Sequence, residues 1–97
     1  MSRVLTAEDF LPHVGKTVTL RGQHRSLTLV AVNTSNWPGW DALPRQPFVL
    51  ILSGPPGDVL PEGSYDVAVD GGPEFELYIN PMLTPARDRQ DYQVAFN

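Results

Sequence analysis

Ser64-Tyr65-Asp66-Val67-Ala68-Val69-Asp70-Gly71-Gly72-Pro73-Glu74-Phe75-Glu76-Leu77-Tyr78-Ile79 is two alternating runs with a glycine pair between them. Period-two alternation is what a strand with one buried face produces, so the stretch reads as a β-hairpin. If Tyr65, Val67 and Val69 point inward, Phe75, Leu77 and Ile79 must as well. Directly opposed residues share a face, so the numbers of each pair must sum to an even value. A two-residue Gly71-Gly72 turn sets Val69 opposite Glu74 and breaks that rule. A three-residue Asp70-Gly71-Gly72 loop sets Val67 opposite Phe75 and Tyr65 opposite Leu77. It also places glycine where such loops need a left-handed residue. This register turns Asp66 and Glu76 outward as cross-strand neighbours.

Working outward, Phe48-Val49-Leu50-Ile51-Leu52 is apolar on both faces, and Ser53-Gly54-Pro55-Pro56-Gly57 closes it as a turn. A strand of that kind is either central, covered by the helix and by Trp37–Trp40, or an edge waiting for a partner, and the central placement is the one expected. Thr17-Val18-Thr19-Leu20-Arg21 alternates cleanly. Ser26-Leu27-Thr28-Leu29-Val30-Ala31-Val32 continues one face through Leu27, Leu29 and Ala31, but Val30 and Val32 disturb the pattern. That disturbance predicts a bulge, or a far end covered on both sides. The chain closes on Asp91-Tyr92-Gln93-Val94-Ala95-Phe96-Asn97, with Tyr92, Val94 and Phe96 inward. Six short strands joined by Pro- and Gly-rich turns predict a mainly β fold, a small antiparallel six-stranded barrel or a two-sheet sandwich.

One short helix is expected over about 6–14. Thr6 and Asp9 form a capping box, Leu5 and Phe10 occupy the staple positions, and Pro12 holds the helix to under two turns. Phe10, Leu11 and Val14 are the expected plug of one end. Residues 33–46 show no clear period and hold both tryptophans, in Asn36-Trp37-Pro38-Gly39-Trp40.

A chain of 97 residues supports a single domain, 1–97, with one small core. Its ten prolines and eight glycines suit many short strands. With no cysteine there is neither a disulfide framework nor thiolate chemistry. The formal charge of −4 disfavours nonspecific nucleic-acid binding. No apolar run approaches the roughly 20 residues of a membrane span, and no signal-peptide core follows Met1. The compartment is left open.

No catalytic, cofactor or metal constellation is legible. His13 and His24 lie in separate segments without a ligand spacing around them, and no nucleophile elbow, P-loop or dinucleotide glycine pattern occurs. Several residues are candidates for interaction. Arg21 and Arg25, with His24, sit in one connection, and Arg87 and Arg89 in another. The two sets either converge on an anion or on the acidic face of another copy, or Arg87 and Arg89 simply pair with Asp88, Asp91 or the hairpin carboxylates, and ordinary surface pairing is the reading expected. Asp66 and Glu76 either mark a basic partner, a cation or a second copy, or form a solvated sheet face that discourages aggregation. Trp37 and Trp40 either stack on a sugar or anchor a protein, or fold back to close the barrel end.

Leu5-Thr6-Ala7-Glu8-Asp9-Phe10 with Gly15, Leu27-Thr28-Leu29, Gly54-Pro55, Leu60-Pro61-Glu62-Gly63-Ser64-Tyr65, Phe75-Glu76-Leu77-Tyr78-Ile79-Asn80-Pro81 and the ending Tyr92–Asn97 carry a likeness over nearly the whole chain. In these segments the chain resembles a family of small, uncharacterised bacterial proteins with a single β-rich domain. Members of that family look like companions of phage tail-collar-domain proteins. The resemblance implies a non-enzymatic structural or protein-interaction role in a phage-tail-like or fibre-like assembly, by self-association or with a tail-collar-type partner. It supplies no substrate, cofactor or catalytic residue. The Trp37–Trp40 loop departs from the family pattern, so the alternative role, a small-ligand or carbohydrate-binding barrel, gains nothing from the likeness.

Overall fold

The computed structural model describes residues 5–22, 25–34, 47–57 and 59–96. Six strands run in chain order: β1 (Thr17–Leu20), β2 (Arg25–Thr34), β3 (Phe48–Gly54), β4 (Gly63–Val69), β5 (Glu74–Pro81) and β6 (Gln90–Phe96). They close into an antiparallel barrel in the order β1-β2-β3-β6-β5-β4, which decides between barrel and sandwich. The pairing of β1 with β4 and of β5 with β6 completes the circle.

The hairpin forms in the register required by the alternation. Tyr65 lies opposite Leu77, Asp66 opposite Glu76 and Val67 opposite Phe75. Gly72 N–H donates to Val69 O (2.9 Å) and Val69 N–H to Pro73 O (3.0 Å), closing the three-residue loop. Gly71 takes φ of +70°, where a Cβ is strained. Gly71→Ala is therefore expected to lower stability by about 1 kcal/mol, read as a fall in the urea midpoint at unchanged m-value. Val67 and Leu77 are fully buried, whereas Tyr65 and Phe75 sit half-buried against the core.

β3 lies between β2 and β6, with Phe48, Leu50 and Leu52 inward; in a closed barrel every strand has two neighbours, so the choice between a central and an edge strand does not arise. β2 is longer than the expected 26–32. It carries a bulge, with Leu29 opposite Leu52 but Ala31 opposite Ile51. The extra residue, Val30, is pushed out to 49% exposure. Ala31 therefore lies on the outer side beside Ile51, and Val32, opposite Leu50, takes the inward place the sequence assigned to Ala31. The bulge bends β2 so that its first half pairs with β1 and the rest with β3. Asn33 and Thr34 belong to β2, so the connection to β3 is shorter than 33–46. Trp37 and Trp40, expected to cover β3, lie outside the described residues.

The expected helix is two 3₁₀ turns, Ala7–Asp9 and Leu11–His13. Asp9 accepts the Thr6 N–H at 2.7 Å, the reciprocal half of the capping box. Pro12 lies within the second turn, where the missing amide donor prevents extension into a regular helix. Only Phe10 is buried, at 1% exposure, while Leu11 and Val14 face solvent, contrary to the expected three-residue plug. The tighter 3₁₀ winding moves the neighbours of Phe10 off its face.

Both barrel ends are stoppered. Phe10 packs against Phe48, Phe75 and Phe96 at centroid separations of 5.9, 4.6 and 5.5 Å, and Phe48 stacks on Phe96 at 4.5 Å. At the opposite end Leu60 is buried, its N–H donating to the Tyr92 hydroxyl at 3.0 Å. Between the stoppers the interior is filled by aliphatic side chains, with no buried polar or charged residue among those described.

Candidate functional site

Among the described residues the interior holds only buried apolar side chains, and the charged and polar groups lie on the outside of the barrel and in its connections. The outer side of β4 and β5 and their ends gather five acidic residues, Glu62, Asp66, Asp70, Glu74 and Glu76. Asp66 faces Glu76 directly, as the alternation demands, and both are exposed. Arg21 continues the same row from β1. Its N–H donates to Asp66 O (2.8 Å), and its guanidinium reaches Glu74 at 2.6 Å. Both partners of that ion pair are 61% exposed, so it is worth at most about 1 kcal/mol. It leaves the Asp66–Glu76 repulsion only partly offset.

The hairpin row ends on Tyr78, whose hydroxyl donates to Glu62 Oε2 at 3.0 Å. This hydrogen bond, then a small burial effect and the negative charge of Glu62, hold the phenol above its ordinary value near 10. A raised acid pKa means that the neutral form is favoured in the fold. The contribution is intact below pH 10 and lost as the pH rises through the higher folded value. Phenolate absorbance of Tyr78 is expected to develop at a higher pH than that of an exposed tyrosine. Glu62→Gln should bring it down, by difference titration against Tyr78→Phe.

The arginine-bearing connections are placed at one end of the barrel. Leu20 lies opposite Arg25, and Gly54, against which Leu27 packs, lies opposite Gln90. Arg89 bonds Asp91 locally, Nε to the carboxylate at 3.0 Å, and Arg87 is exposed. Arg21, by contrast, turns to the acidic hairpin. The structure thus pairs Arg21 and Arg89 with carboxylates in two separate places rather than aiming them at one point. The 82–90 connection is tied down by Thr84 Oγ1, which donates to Met82 O and accepts from Asp91 N, and by Gln90 Nε2 on Met82 O. It nevertheless presents Leu83 at 97% exposure.

His13 lies against the hairpin turn, its Cε1 3.2 Å from where a Gly72 Cβ would stand. Its Nδ1 is buried without a hydrogen-bond partner among the described residues. His24, like the two tryptophans, lies outside the described residues. Among those described, no group of three or more histidines and carboxylates is placed to hold a metal, and no helix is long and apolar enough to cross a membrane. Sequence reading missed Leu60 and the Tyr78–Glu62 pair. The one available signal was the apolar pair Val59-Leu60 between Gly57 and Gly63, in a stretch otherwise typical of a turn, of which the fold buries Leu60 and leaves Val59 exposed.

A family model described as a domain of unknown function, DUF6916, matches residues 5–96. No curated protein and no solved structure matches the chain.

Proposed function

We propose, from the premise that this chain belongs to the DUF6916 family of domains of unknown function, that it is a non-enzymatic structural or protein-interaction module. The observation that carries this reading is the filled interior. Phe10 and Leu60 stopper a core made of aliphatic and aromatic side chains, which directs recognition to the outer surface. Exposed apolar groups such as Leu83 and Tyr78 suit a protein partner better than a small solute. The likeness of segments 5–10, 60–65, 75–81 and 92–97 to companions of tail-collar proteins suggests the setting, a phage-tail-like or fibre-like assembly or a tail-collar-type partner.

Light scattering across a concentration series, together with affinity capture from the native host, tests the reading. Concentration-dependent association or a stoichiometric partner is the expected result. A monomer at high concentration that captures nothing overturns it. A glycan-dependent change in tryptophan fluorescence would instead favour the ligand-binding barrel built on Trp37 and Trp40.

A further inference from the structure

The 3₁₀ winding near the start of the chain sorts its side chains into two columns. Its backbone bonds run from each N–H to the carbonyl three residues back: Asp9 to Thr6, Phe10 to Ala7, His13 to Phe10 and Val14 to Leu11. Residues three apart therefore share a face. One column, Ala7, Phe10 and His13, is turned toward the barrel, with Phe10 buried. The other, Glu8, Leu11 and Val14, is turned to solvent. The bulge in β2 places a third exposed apolar residue next to this outer column. Gly15 N–H donates to Leu29 O (2.7 Å) and Leu29 N–H to Lys16 O (3.1 Å), so Val14 and Val30 flank the same pair of bonds. Leu11, Val14 and Val30 are each between 42% and 50% exposed. Large apolar side chains grouped in this way on a surface mark a contact for another protein.

From this we infer that Leu11, Val14 and Val30 form a two-fold contact between two copies of this chain, with Glu8 of each copy facing Lys16 of the other. The inference rests on the reading of the chain as an interaction module and gives that module a surface. Along the segment the apolar Leu11 and Val14 stand between an acid, Glu8, and a base, Lys16. Both charges are exposed, and neither is ion-paired among the described residues. A two-fold axis near Leu11 runs the two segments antiparallel. The apolar residues then meet their own copies, and the unlike charges meet across the axis.

The charge distribution favours a second copy over another protein. Glu8 and Lys16 cancel, and β2 carries no charge from Ser26 to Thr34, so the patch is neutral. Five carboxylates on and around β4 and β5, Glu62, Asp66, Asp70, Glu74 and Glu76, against Arg21 give −4, the formal charge of the whole chain. A basic partner is drawn to that acidic side, and an acidic partner is repelled by the chain as a whole. A second copy meets the neutral patch with its charges already matched. Three apolar side chains are too few for an obligate interface, so the dimer is weak and forms with rising concentration.

Sedimentation of the full chain across a concentration series is the test, and a concentration-dependent dimer is the expected result. Val30→Lys and Leu11→Ser change exposed positions, so circular dichroism should show a folded monomer in each. Each should weaken dimerisation by about tenfold or more. Glu8→Lys and Lys16→Glu should each weaken it several-fold, more at low salt than at high. The double variant Glu8→Lys/Lys16→Glu should recover the original dimerisation, because the exchange restores both pairs across the axis. Dimerisation unmoved by Val30→Lys and Leu11→Ser overturns this patch, as does a double exchange that weakens as much as the two single changes combined. A chain that associates through another surface, or stays monomeric while capturing a different protein, loses this inference and keeps the module reading. A monomer that captures nothing removes both.

Discussion

Phe10→Ala is expected to cost about 3–5 kcal/mol, the range for removing a buried phenylalanine without collapse of its site. The ring is 1% exposed and touches Phe48, Phe75 and Phe96, which belong to three strands. Its neighbours cannot close the hole easily. Phe48 and Phe96 are held stacked by the β3–β6 ladder, so any collapse would have to come from Phe75 on β5. Since single domains of this size are stable by only about 5–15 kcal/mol, the loss is a large fraction of the total. Urea unfolding followed by circular dichroism measures it. A loss below about 1 kcal/mol would mean that Phe10 is not the stopper of that end.

Leu60→Ala is the second large effect, expected at about 2–5 kcal/mol. Leu60 has no strand to hold it. It is kept in place by its own N–H on the Tyr92 hydroxyl and, one residue on, by the Tyr65 hydroxyl donating to Pro61 O at 2.6 Å. Tyr92→Phe keeps the ring and removes the acceptor, leaving a buried amide unsatisfied, so about 1–3 kcal/mol is expected there. The two substitutions share one contact, and their combination should fall short of the sum. Phe10→Ala and Leu60→Ala act at opposite ends of the strands and should add within about 0.5 kcal/mol. Thermal and urea unfolding of the three single and two double variants separates these cases.

The strands were legible because alternation is a local signal. Tyr65–Val69 and Phe75–Ile79 determine each other's register through face parity alone, and the glycine at 71 has the conformation the loop needs. The bulge in β2 was legible as a broken alternation, but not which residue would leave the ladder. Val30 and Ala31 are both apolar, and only the fit against Leu52 and Ile51 selects Val30. The inward assignment of Leu11 and Val14 failed because a pattern read with helical periodicity does not survive 3₁₀ winding around Pro12. Of the interaction candidates, the outward Asp66–Glu76 pair follows from parity. The Arg89–Asp91 pair, two residues apart, was among the local pairings the sequence offered, whereas the partner of Arg21 was not, since side-chain pairing across 53 residues leaves no mark on local sequence.

By itself, then, the sequence determined six strands, their faces except beyond the bulge in β2, and the hairpin register. These all follow from which residues must leave water and from the period at which a strand can bury them. Only the tertiary structure decided that the sheet closes on itself, that Phe10 and Leu60 stopper its ends, and that the ladder between β5 and β6 stops after two pairs. Closure depends on pairing between strands distant in the chain, and the energy that selects it comes from complementary packing in three dimensions.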